Sequence, residues 1–137
     1  MNYTIIALSG YIVWTMILLL GLATYRSAFN KLNNRTSLKF DANGSDVGSF
    51  GQRLTRAYAN CYESFTFIGG TMLLALASDS GHITNTFALI VLVARIVQSS
   101  IHIVSVSNAA IIFRFVFFLV QFGICAYWLL LILQKFV

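Results

Sequence analysis

At 137 residues the chain has room for one domain, and 58% hydrophobic, 15% aromatic and only 9% charged residues lie outside the soluble globular range. The formal net charge of +5 invites a nucleic-acid reading, but the charges cluster beside hydrophobic runs without any nucleic-acid motif. They read as a topology signal meeting anionic lipid headgroups, and the class left is an integral membrane protein.

Crossing a hydrocarbon core of about 30 Å takes about 20 mostly apolar residues. The first such run covers residues 5–25. No Lys or Arg precedes it and Arg26 follows it, so it reads as a retained span and not a signal peptide.

Residues 27–51 follow as a polar connector, with Asn33-Asn34, Asp41, Asn43-Gly44, Asp46 and Gly48 as turn formers and a short helical extension of the first span at its start. Arg26, Lys31, Arg35, Lys39, Arg53 and Arg56 all lie between the first two runs, whereas the later connection at Asp79 to His82 has no Lys or Arg. The positive-inside rule makes this loop cytoplasmic and puts both termini outside. Glycosylation patterns at Asn34-Arg35-Thr36 and Asn43-Gly44-Ser45 would then go unused. The C-terminal Gln134-Lys135-Phe136-Val137 is no retrieval signal, which favours a bacterial inner membrane over an endoplasmic reticulum membrane.

The second run, 57–77, opens with RLTRAYANCYE, in which Arg53, Arg56, Asn60 and Glu63 share an arc of roughly 80° on one helix face. Charge at that position is expensive in a membrane and points to function. Arg53 and Arg56 can also serve as headgroup anchors by snorkelling, but Glu63 is roughly 10 Å deeper than Arg56 and needs a cation. The third run, 84–105, carries Arg95, Gln98, Ser99 and His102 on one side, and pairing of Glu63 with Arg95 is expected. That pair suits a structural role as well as a ligand role. The fourth run, 109–134, adds Arg114, Gln121 and Cys125 on a narrow face, and its Phe113, Phe115, Phe117, Phe118 and Phe122 read as lipid or packing contacts.

Short links at 78–83 and 106–108 make successive helices antiparallel neighbours, giving an all-α, four-transmembrane-helix up-down bundle forming a single domain over 1–137. Cys61 and Cys125 read as small buried hydrophobes, and no metal pattern is present. Three helices bring arginines toward the cytoplasmic half, which suits an anionic ligand bearing carboxylates.

The segment RLTRAYANCYESFTF resembles the signature of the MAPEG superfamily, the membrane-associated proteins in eicosanoid and glutathione metabolism. Its R-x-x-R-A-x-x-N-x-x-E pattern is matched at Arg53, Arg56, Ala57, Asn60 and Glu63, and ARIVQSSIH in the third run is similar as well. The resemblance implies a homotrimer with glutathione held between subunits in the cytoplasmic half. It assigns Arg53, Arg56, Asn60, Glu63, Arg95, Gln98 and His102 to glutathione binding, with Arg56 also serving as a structural partner. It implies a glutathione transferase or peroxidase acting on hydrophobic electrophiles from the bilayer, in which Arg114 is the nearest candidate for activating the thiol. The chain departs from the pattern after the glutamate, where Ser64-Phe65-Thr66-Phe67 lacks the usual proline, at His102, where a tyrosine is common, and at Gln98, where an aromatic residue or histidine is. Two other readings remain: a non-catalytic lipid-binding protein of the same architecture, and a small proton-coupled exporter using Glu63.

Overall fold

With no proline to interrupt them, the apolar runs form long helices limited only by their caps. The computed structural model describes residues 1–137, as α1 (Tyr3–Leu32), α2 (Gly48–Ala77), α3 (Gly81–Asn85), α4 (Ala88–Val104) and α5 (Asn108–Phe136). Asn2 Oδ1 accepts from the Ile5 amide at the start of α1, and Ser107 Oγ accepts from the Ala110 amide at the start of α5.

Helix α2 is the hub, packing on α1, α4 and α5, while the backbones of α1 and α5 stay apart. The long helices alternate in direction. Contacts Tyr11–Cys61 and Tyr25–Val47 run antiparallel between α1 and α2, and Asn60–Arg95 and Arg53–Ile103 do the same between α2 and α4. Tyr11, Ile68, Met72 and Trp128 lie fully buried along the axis. Helices α1 and α5 are long and apolar enough to cross a membrane, and α4 is a shorter apolar helix. Their outer faces expose Ile12, Met16, Leu20, Phe113, Phe115 and Phe122, the large apolar surface a lipid environment covers.

Three boundaries differ from the expectation. The connector ends early, because α2 begins at Gly48, while at its start α1 runs on to Leu32 as the expected helical extension. The link expected at 78–83 as a plain turn contains the start of α3, and the third run is broken at Thr86 and Phe87. The break has a polar cause: Thr4 Oγ1 meets Thr84 Oγ1 at 2.6 Å and donates to Asn85 Oδ1 at 2.8 Å, tying α3 to the start of α1. Lys135 Nζ closes the same end by donating to the carbonyls of Ser78 (3.0 Å) and Asp79 (2.9 Å), which satisfies acceptors beyond the last turn of α2.

At the opposite end, residues 33–47 fold back on α2. Arg35 forms the chain's one ion pair, with Asp46 at 2.9 Å, and Arg26 and Arg35 both stack on Phe40. Gly44 has φ +74°, and a Cβ there would sit 2.6 Å from Thr55 Oγ1. Only glycine lets the loop approach α2 this closely.

Candidate functional site

The fold of that loop places Ala42 and Asn43 over the outward face of α2, where an open polar cleft of about 350 Å³ forms. Its walls are Arg56, Ala59, Asn60, Tyr62 and Glu63 from α2 and His102 from α4, besides the two loop residues. Four residues expected from sequence, Arg56, Asn60, Glu63 and His102, thus meet in one place. Arg56 is the one guanidinium in the lining and Glu63 the one carboxylate, and Arg114, outside the lining, lies within electrostatic reach of Arg56 and His102.

The expected Glu63–Arg95 pair does not form. Arg95 Nη1 donates to Asn60 Oδ1 at 2.7 Å, its guanidinium lies 5.9 Å from the centre of the Tyr11 ring, and the residue is fully buried. The reason is azimuth. The buried Ala57, Cys61, Ser64 and Ile68 define the inward direction of α2, and Glu63 sits roughly 130° away from it, against roughly 70° for Asn60. Glu63 is therefore turned out of the bundle and exposed, while Asn60 can reach both the core and the cleft.

The remaining expected residues lie outside the cleft lining. Arg53 is partly buried and its Nε donates to the Ile103 carbonyl at 2.7 Å, so it caps the end of α4. Gln98 is buried and accepts from Gln121 Nε2 at 2.8 Å, an interhelical amide pair between α4 and α5. Arg114 is partly buried near the start of α5 with its Nε unpartnered. Cys61 and Cys125 are buried and free.

Sequence reasoning missed Ala42, Asn43, Ala59 and Tyr62 as cleft residues, and Tyr11, whose hydroxyl donates to the Cys61 carbonyl at 2.5 Å beneath Arg95. Tyr62 was readable, since it stands next to Glu63 within the motif. Nothing in a turn such as Asn43-Gly44 says which helix it will cover. Tyr62 also joins Ile12, Thr15, Met16, Leu19 and Phe65 around an apolar groove of about 230 Å³ between α1 and α2, so the polar cleft and the groove share a wall.

The arrangement can bind a small ligand carrying both signs of charge: Arg56 and the Asn60 amide offer donors, and Glu63 offers an acceptor. No curated protein and no solved structure matches the chain. The model of the MAPEG family matches residues 4–134, nearly its whole length. The chain therefore belongs to the MAPEG family, and it is a membrane protein of the eicosanoid and glutathione metabolism type.

Proposed function

We propose that this protein is a membrane-bound glutathione transferase or peroxidase that acts on hydrophobic electrophiles. The observation that carries the reading is the cleft joining Arg56, Asn60, Glu63 and His102. Glutathione has two carboxylates, one ammonium and one thiol, and the residues present fit it: guanidinium and amide donors for a carboxylate, the Glu63 carboxylate for the ammonium. When bound, glutathione supplies the sulfur nucleophile.

The chain's own residues do the rest. Arg56 and Asn60 orient a carboxylate, Glu63 holds the ammonium, and Arg114, within reach of the same cationic cluster, places positive charge that favours loss of the thiol proton. The groove of Ile12, Met16, Leu19 and Phe65 beside Tyr62 suits a lipid-soluble electrophile entering from the bilayer.

In this reading α1, α2, α4 and α5 all span the membrane, the 33–47 loop is cytoplasmic, both termini lie outside, and the membrane is a bacterial inner membrane. Three copies assemble, as the family resemblance implies, and the exposed Arg56, Tyr62 and Glu63 on a spanning helix support a polar neighbour that lipid does not offer. Arg95 meets the cleft residue Asn60 from behind, while Arg53 and Gln98 tie α4 to α2 and α5.

The test is thiolate absorbance near neutral pH on adding glutathione to detergent-purified protein, with the Arg114→Ala variant alongside. Conjugation and the thiolate signal should both vanish in that variant while glutathione still binds. A wild type that binds glutathione without a thiolate signal would instead be a non-catalytic binder, a reading favoured by the absence of Arg114 from the cleft lining. The exporter reading is disfavoured by Arg56 in the same cleft as Glu63, a guanidinium that a wholly cationic cargo with no carboxylate of its own cannot match.

A further inference from the structure

The bundle holds an arginine in its interior with no carboxylate to match it. Arg95 is fully buried over the Tyr11 ring, and its only hydrogen-bond partner is Asn60 Oδ1 at 2.7 Å, with Nε and Nη2 left free. An interior cation held by a single hydrogen bond is costly, so that bond is a place to look for a function. Asn60 lines the polar cleft and Arg95 does not.

A guanidinium has donors and no acceptor, so the Asn60 atom it meets must be the carbonyl oxygen. That settles the orientation of the amide, which in Asn side chains is otherwise ambiguous. The Asn60 nitrogen is then directed away from Arg95. It makes no hydrogen bond within the chain and is not enclosed, on a residue that faces the cleft.

We infer that Arg95 is a positioning residue that locks the Asn60 amide, so that Asn60 offers the cleft N–H donors and no acceptor. The bond also polarises the amide, which strengthens the N–H groups on its other side. The ligand atom opposite Asn60 must therefore be an acceptor, which a carboxylate or peptide carbonyl oxygen supplies. The cleft divides into a donor side, Arg56 and Asn60, and an acceptor at Glu63. This inference rests on the glutathione reading above and moves Arg95 from ligand contact to the support behind one.

The experiment titrates glutathione into detergent-solubilised full-length wild type, Arg95→Lys, Asn60→Ala and the double variant, with the melting temperature of each confirming its fold. Arg95→Lys alone should weaken binding by about threefold to tenfold, the scale of one weakened polar contact. In the Asn60→Ala background it should add no further loss. Losses that multiply in the double variant mean that Arg95 touches glutathione directly, which overturns the proposal. Asn60→Asp keeps an oxygen for Arg95 but removes the N–H donors. It should melt near the wild-type temperature and bind glutathione at least about tenfold more weakly, and wild-type affinity in it overturns the proposal. If wild type does not bind glutathione at all, the proposed function fails, and the positioning role is then read without ligand. The side-chain N–H resonances of Asn60 in ¹⁵N-asparagine-labelled protein should shift in Arg95→Lys, and unchanged resonances overturn it.

Discussion

Arg53 Nε donates to the Ile103 carbonyl at 2.7 Å, so the first arginine of the motif serves the end of α4. The last carbonyls of a helix lack partners within it, and a cation there also complements the negative end of the helix dipole. Arg53→Ala should lower stability by about 1–3 kcal/mol, the usual cost of losing a hydrogen bond from a charged group. Thermal melting in detergent measures this. Glutathione affinity in the same variant should fall less than in Arg56→Ala, because Arg53 does not line the cleft.

Glu63 is exposed and has no cation bonded to it within the chain, which frees its carboxylate for a ligand ammonium. Glu63→Gln should weaken glutathione binding by about tenfold or more and leave the melting temperature close to wild type. Calorimetric titration checks the first part. A melting temperature that collapses would mean that Glu63 has a structural partner.

The 33–47 loop should loosen in acid. Desolvation pushes the Asp46 carboxyl up, but hydrogen bonds from the Asp41 and Asp46 amides and the Arg35 guanidinium outweigh it and hold the group below its ordinary value of 3.8. A carboxyl lowered by folding stabilises the fold above its unfolded value, and that contribution is lost as pH falls through the folded one. Limited proteolysis between Leu32 and Gly48 should therefore accelerate below about pH 3.8, and Asp46→Asn should cleave at the fast rate already at pH 7.

Tyr11 is fully buried, with its hydroxyl on the Cys61 carbonyl at 2.5 Å and its ring 5.9 Å from the Arg95 guanidinium carbon. Tyr11→Phe keeps the ring and deletes the hydrogen bond, so the loss should be modest, about 0.5–1.5 kcal/mol. Tyr11→Ala removes the ring as well and opens a cavity, with an expected cost of about 3–5 kcal/mol. Comparing the two melting temperatures separates hydrogen bond from packing.

Half of the cleft's lining, including both of its charged residues, was legible. An R-x-x-R-A-x-x-N-x-x-E spacing puts Arg56, Asn60 and Glu63 on one side of α2 whatever surrounds it, because helical periodicity is a local property. His102 was legible as a polar residue late in the third run. The partner of Arg95 was not. Charge matching alone pairs it with Glu63, but relative angles along one helix do not say which direction faces the core, and here a rotation of roughly 60° between Asn60 and Glu63 decides the contact.

Composition and periodicity by themselves determined that this chain is helical and membrane-bound, and that one face of α2 carries charge, since apolar runs and side-chain spacing act over a few turns of chain. Tertiary structure alone decided that Arg53 caps α4, that Arg95 stands behind Asn60, and that Asn43 roofs the cleft. Those outcomes depend on how far each helix turns toward its neighbours and on how closely Gly44 lets the loop approach Thr55. Packing of the whole bundle sets both, and no local stretch of sequence encodes them.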